Sequence, residues 1–256
     1  MSINTLRAGA NTAPSNSQKA RNTGRPDRAR LAPVIMTAQP KGGTRKSTTL
    51  AEIILHLMEM GHMPWIIDPD KANPDNFKAH HTELKCECIA MDREHGFTSI
   101  ARRISDTSIT GPILISCGAG LVDVFKENAG TLDLAASRVG RPFFVVVPID
   151  LDVDSLNHID DMREAMPDAQ FFIVRPRHFG HPDEFEAFNE SDLGHSFIDQ
   201  GRVIDLPAMP AALVRHFKSD RLSLAAIAER GDVAEVAALD TWRPRSRAAL
   251  APLLDW

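Results

Sequence analysis

Pro40-Lys41-Gly42-Gly43-Thr44-Arg45-Lys46-Ser47-Thr48-Thr49 lies between an apolar run, Val34-Ile35-Met36-Thr37-Ala38, and a periodic stretch ending at Gly61. In that stretch Leu50, Ile53, Ile54, Leu57 and Met58 recur at helical spacing. A buried strand, a glycine loop and a helix in this order form a phosphate-binding unit. Gly42 and Gly43 allow backbone conformations closed to other residues, which turn N–H groups onto phosphate oxygens, while the following helix offers its positive end. Lys46 is then placed for β- and γ-phosphates and the Ser47 hydroxyl for Mg²⁺. The alternative, a glycine turn before an ordinary helix, leaves the flanking pattern unexplained.

The common loop of this kind is Gly-x-x-x-x-Gly-Lys-Ser/Thr, and Pro40 and Arg45 stand at its two glycine positions. A lysine directly after the first position, here Lys41, is the mark of the deviant Walker A loop, Lys-Gly-Gly-x-Gly-Lys-Ser/Thr, matched here except at Arg45. The chain therefore resembles the ParA/MinD-like P-loop ATPases. The resemblance implies ATP and Mg²⁺ as cofactors, with nucleotide contacts from Gly42, Gly43, Thr44, Arg45, Lys46, Ser47 and Thr48. It also implies a homodimer formed on ATP binding, in which Lys41 reaches the phosphates of the other subunit. After Met63-Pro64-Trp65-Ile66-Ile67, the segment Asp68-Pro69-Asp70-Lys71-Ala72-Asn73 resembles the family's Asp-x-Asp switch. By that resemblance Asp70 orients the attacking water and Asp68 supports the metal, so Lys41, Lys46 and Asp70 are the expected catalytic set and Ser47 and Asp68 the metal set. Two turn-forming aspartates beside prolines are the plainer alternative.

The third strand of the motif series, Gly111-Pro112-Ile113-Leu114-Ile115, ends on Ser116 where the family carries the Walker B aspartate. A serine can hydrogen-bond a metal-bound water but lacks the carboxylate charge. Asp150, Asp152 and Asp154, after the run Phe143 to Val147, are substitute acids on the same expected edge, with Asp154 alternatively an N-cap for a helix from Ser155. The order of these pieces, continued by Phe171-Phe172-Ile173-Val174 and Phe179-Gly180, resembles the conjugal-transfer TraL/MobD branch over roughly residues 33 to 230. By that resemblance Pro207, in Val203-Ile204-Asp205-Leu206-Pro207, borders the adenine. Where the family often has a base-contacting asparagine, this chain has Arg175-Pro176-Arg177, and the Arg177 guanidinium can stack on the base.

The chain has 256 residues with 43% apolar content, enough for one α/β domain of repeated strand–helix units. Strands are expected near 33–38, 63–67, 112–116, 142–147, 170–174 and 202–206. Helices are expected near 47–60, 97–105, 119–138, 154–165, 182–190, 209–218 and 222–229. The short continuous apolar runs predict a mostly parallel central sheet with helices on both faces, the three-layer P-loop NTPase fold. The expected division is a basic N-terminal tail over 1–31, the nucleotide-binding domain over 32–233 and a short helical extension over 234–256, whose terminal Trp256 either packs on the domain or anchors a partner. No run approaches a membrane span of ~20 apolar residues.

The net charge of −5 hides an asymmetry. Residues 1–31 carry six basic side chains against Asp27, a surplus of five, so the remainder carries −10. Such a tail, poor in large apolar residues, is expected to be disordered alone and suited to DNA or another polyanion, or to be a solvated linker. Its composition also superficially suits a transit peptide. Three cysteines with no secretory signal fit reduced thiols in a cytoplasm. Cys86 and Cys88 with His80 and His81 lack a standard zinc spacing, and Cys117 reads better as a buried thiol than as a nucleophile.

These readings converge on an ATP-binding dimerising switch, a slow P-loop ATPase in plasmid conjugal transfer, mobilisation or maintenance. Plasmid transfer or partition proteins are its expected partners. The rival is a catalytically degenerate nucleotide sensor or interaction scaffold, favoured by Arg45 and Ser116. A P-loop amidoligase or dethiobiotin-synthetase-like enzyme would need a second substrate pocket, for which the sequence shows no signature.

Overall fold

Seven short strands, most of them apolar, pair side by side in the computed structural model, which describes residues 31–70, 73–118, 120 and 122–256. They are β1 (Val34–Thr37), β2 (Trp65–Ile67), β3 (Cys86–Glu87), β4 (Ile113–Ser116), β5 (Phe143–Pro148), β6 (Gln170–Pro176) and β7 (Val203–Leu206). The order is β3-β2-β4-β1-β5-β6-β7 and every pairing is parallel, so the sheet is wholly rather than mostly parallel. The edge strand β3 is not one of the six expected sheet strands, although the alternation of Cys86 and Cys88 along 84–89 fits a strand there. Its two half-buried residues are too few to show a period.

Alternation within the strands divides the core into two layers. Val34, Met36, Ile113, Ile115, Val145 and Val147 face one side; Ile35, Leu114, Phe144 and Val146 face the other. The first side is covered by α3 (Glu94–Ser105), α4 (Val122–Val139) and α5 (Ile159–Ala165), and by Phe188 of α6 (Glu186–Asn189) and Phe197 of α7 (Asp192–Asp199). Leu50, Ile53, Ile54 and Leu57 of α1 (Lys46–Glu59) cover the other, joined by the C-terminal chain.

Several helix expectations are corrected. The helix expected at 154–165 is a 3₁₀ turn over Val153–Ser155 followed by α5, and Asp152 rather than Asp154 caps it by accepting from the Asp154 N–H. The stretch 182–190 splits into a 3₁₀ turn and α6, and α7, capped by Ser191, was not expected. Neither was α2 (Asp75–His80), which is too short for periodicity to register. The helix near 209–218 is α8 (Ala211–Arg215) running into a π turn over His216–Asp220, before α9 (Leu224–Arg230).

The largest difference is at the C-terminus, where a 22-residue helix, α10 (Val233–Leu254), replaces the expected short one. Asp232 and Glu235 form a capping box at its start, and Pro244 and Pro252 lie inside it. An interior proline costs about 3 kcal/mol, but Leu239, Trp242, Leu250, Leu253 and Leu254 are all buried, each contributing roughly 1.5–3 kcal/mol. Burial therefore outweighs the two prolines. Trp242 joins Leu213, Phe217 and Ile227 in an outer cluster and donates its indole N–H to the Pro207 carbonyl at 3.3 Å. Trp256 packs at the edge of the second layer beside His62. Among the described residues no helix is long and apolar enough to cross a membrane. The basic segment lies outside them, save Leu31.

Two measurements check this packing. Trp242→Ala should lower unfolding stability by about 3–5 kcal/mol in urea titration. His80 is buried against Phe217, and burial depresses its pKa from the ordinary 6.5 to about 4. The unfolded chain then binds the proton first, so stability is full above pH 6.5 and falls as the pH drops toward 4. The urea midpoint of the native chain should fall relative to that of His80→Leu between pH 6.5 and 4, since the titration of Asp68 and other groups is common to both.

Candidate functional site

Because all strands run the same way, the segments after β1, β2, β4, β5, β6 and β7 emerge on one edge, and β1 sits where the strand order turns back on itself. There Gly42 to Thr48 line a cavity of about 410 Å³ together with Asp68, Asp70, Asn73, Asp75, Ser116, Cys117, Gly118, His178, Phe179 and Lys218. That volume lies within the range of ligand pockets. The loop turns through two left-handed residues, Gly43 at φ 83° and Arg45 at φ 72°. Lys46 Nζ donates to the Lys41 carbonyl at 2.9 Å, folding the loop over its own lysine. Burial lowers the Lys46 pKa. Thr44 is buried with its hydroxyl toward the Lys41 carbonyl, and the Thr48 hydroxyl donates to the Arg45 carbonyl at 2.9 Å, so both serve the loop's shape.

Arg45 occupies a left-handed position without filling the loop. Its guanidinium turns away to the His178 imidazole, after β6. Burial, then the Arg45 charge, holds His178 below its ordinary pKa, in keeping with a neutral ring that accepts from the guanidinium.

The acids divide into two groups. Asp68 is buried, and its oxygens accept the backbone N–H groups of Asp70, Asn76 and Phe77 at 3.3, 3.1 and 3.2 Å. Burial still raises its pKa to about 6. Asp70 accepts from the Asn73 N–H at 2.9 Å; Lys71 and Ala72 lie outside the described residues. Ser116 is buried and receives the Asn76 amide at 3.5 Å. Asp150 and Asp152 do emerge on this edge, but they do not line the cavity: both hold Lys41, at 2.9 and 3.0 Å. The Asp150 hydrogen bond leads in raising the Lys41 pKa. Cys117 is buried, which pushes its thiol up to about 12 and removes nucleophilic character.

A second cleft adjoins the cavity, sharing Arg45, Thr48 and His178 with it and adding Thr49, Glu52, Pro176, Leu206, Pro207, Ala208, Met209 and Val214. Pro207 lines this cleft. Arg177 does not line the cleft; it is exposed and its guanidinium meets His181 at 2.7 Å. The sequence reading also passed over His178, Glu52, Asp75, Lys218 and Gln39. Gln39 is buried and donates to the Pro148 and Ser155 carbonyls at 3.2 and 2.8 Å, tying the loop to the segment after β5. Its place just before Pro40 was the available signal. Lys218, far along the chain in no motif, gave none.

No protein-family model matches the chain. Protein MobD of Acidithiobacillus ferrooxidans is 25% identical over 218 residues, covering 85% of this chain and 96% of that protein. The MinD cell division protein of Aquifex aeolicus superposes with a TM-score of 0.51 at 16% identity, over 83% of this chain and 96% of that one. This chain has the MinD-type P-loop ATPase fold. Another structure, the septum site-determining protein MinD complexed with Mg-ADP from Pyrococcus horikoshii, matches at a TM-score of 0.48 and 16% identity, over 84% of this chain and 96% of that one.

The left-handed backbone at Arg45 sets up a comparison of variants. A side chain there costs about 1–2 kcal/mol that glycine avoids, less about 0.4–1 kcal/mol for glycine's freer unfolded state. Arg45→Gly should therefore be more stable than Arg45→Ala by roughly 0.5–1 kcal/mol in thermal unfolding.

Proposed function

We propose that this protein is an ATP-binding, dimerising switch acting in plasmid mobilisation, conjugal transfer or maintenance. The observation that carries the reading is the cavity at the carboxyl edge of the sheet, lined by the glycine loop and Lys46, with a narrow cleft beside it lined by Thr49, Pro176 and Pro207. The cavity suits a polyphosphate, and the adjoining cleft, at about 20 Å³, would have to widen to take a base. Similarity to Protein MobD over 85% of this chain and 96% of that protein supports the plasmid setting.

In this reading Lys46 exchanges the Lys41 carbonyl for β- and γ-phosphate oxygens, and the loop N–H groups with the start of α1 complete the cradle. Ser47 and Asp68 would hold Mg²⁺, whose charge would offset that of the phosphates. Asp70 orients water. Lys41, held by Asp150 and Asp152 in the single chain, turns to the phosphates of a second subunit when two loaded copies pair. The basic N-terminal tail is the proposed DNA contact, plasmid transfer or partition proteins are the proposed partners, and the cytoplasm is the proposed compartment.

A second reading, a nucleotide sensor or scaffold that binds without turnover, is favoured by two observations. Ser116 supplies no carboxylate, and the oxygens of Asp68 are already engaged by three backbone N–H groups. Calorimetric titration with ATP and Mg²⁺, paired with a phosphate-release assay, separates the readings. Binding with slow release, both lost in Lys46→Ala, is expected of the switch; binding without release selects the sensor; no binding rejects both. Ser116→Asp should tighten Mg²⁺ dependence and raise phosphate release by about 10-fold or more, since a restored carboxylate adds transition-state charge stabilisation.

A further inference from the structure

The phosphate cavity contains a cation that neither the glycine loop nor the switch segment supplies. Lys218 sits in the π turn after α8, and the chain leaves that turn through Arg221 at φ 58°. Turns of this kind are uncommon and frequently mark functional positions. The π turn and its left-handed exit bring two cations to one carboxylate, Asp75 at the start of α2: Lys218 on Oδ2 and Arg221 on Oδ1. The Asp75 side chain is 2% exposed, whereas those of Lys218 and Arg221 are 38% and 34% exposed. One buried negative charge therefore answers two positive ones. Lys218 and Asp75 both form part of the cavity wall, whereas Arg221 holds Asp75 from outside it, so Lys218 is the cation of the pair that faces a ligand. The Lys46 pKa is lowered first by burial, which the pulls of Cys117 and Asp70 oppose, and the Lys218 charge reaches it as the smallest influence, also lowering. Lys46 and Lys218 stand in the wall of one polar cavity in which Asp75 is answered by two cations and Asp68 by three backbone N–H groups, and two ammonium groups so placed suit a ligand with several negative charges.

We propose that Lys218 is a second phosphate-binding cation of this nucleotide site, moving from Asp75 to the oxygens of the bound polyphosphate while Arg221 remains on Asp75. The proposal rests on the nucleotide-binding reading. Arg221 is what makes the exchange feasible: a buried carboxylate stripped of its only partner is strongly destabilising, and here one partner always stays. Arg221 also donates to Asn73 Oδ1 at 3.2 Å, so the remaining pair keeps the end of the switch segment tied to the C-terminal half of the chain.

The experiment is calorimetric titration of the full chain with ATP and with AMP, each with Mg²⁺, at several salt concentrations, for the native protein, Lys46→Ala, Lys218→Met and Lys218→Arg. Ligand-free unfolding midpoints are measured alongside. Lys218→Met should weaken ATP about 10-fold or more, change AMP less than about threefold, and flatten the salt dependence of ATP affinity. Lys218→Arg should retain most of the affinity, and the ligand-free midpoint of Lys218→Met should stay near that of the native chain. Native binding that Lys46→Ala abolishes but Lys218→Met leaves unchanged overturns the role of Lys218 alone. Equal losses for ATP and AMP with a lowered midpoint overturn it in favour of a packing role. Absence of ATP binding by the native protein overturns both this proposal and the reading beneath it.

Discussion

The position of β1 between β4 and β5, all three parallel, is the constraint on which the rest of the site depends. Parallel neighbours require crossovers, so each strand returns to the same starting edge and releases its next loop at the opposite one. Six loops that are far apart in the chain are thereby delivered to one place. The backbone hydrogen bonds from Ala38 to Val146 and from Cys117 to Thr37 continue the strand pattern past the sheet's end and fix the loops beside each other. Without that register the glycine loop would be a local motif with no wall opposite it.

Charge at this edge is distributed by pairing. Lys41 is held by two carboxylates, Asp75 by two cations, Asp68 by three backbone N–H groups, and Arg45 by a neutral imidazole. Each arrangement has more partners than one charge needs or a partner with no opposing charge. A highly charged ligand can draw on such groups without leaving a buried charge bare, whereas a single buried ion pair would have to be broken. The same reasoning explains how the fold accommodates arginine at a glycine position. The left-handed backbone is retained, and the side chain finds His178 outside the loop.

Much of the fold was legible before the structure. Six of the strands fell where short apolar runs placed them, because a strand buried on both faces has to be apolar throughout. The glycine loop and the helix after it were equally plain. Elements decided by long-range contacts were not: β3 is too short for a period, α2 and α7 are brief, and α10 carries two prolines that argue locally against it. Burial of Trp242, Leu250, Leu253 and Leu254 against the body of the protein overrides that local signal, since tertiary burial is worth more than the missing backbone bonds.

The sequence by itself determined the α/β class, the glycine loop at 40–49 between a strand and a helix, and the absence of an acid at Ser116, because each is written in residues close together in the chain. The tertiary structure alone decided which charges meet. That Asp150 and Asp152 hold Lys41 outside the cavity, that Arg177 turns to His181 while His178 joins the wall, and that Lys218 arrives opposite the loop all follow from strand order and a π turn. Coulomb interactions depend on separation in space, and sequence spacing carries that information only within a single helix, strand or loop.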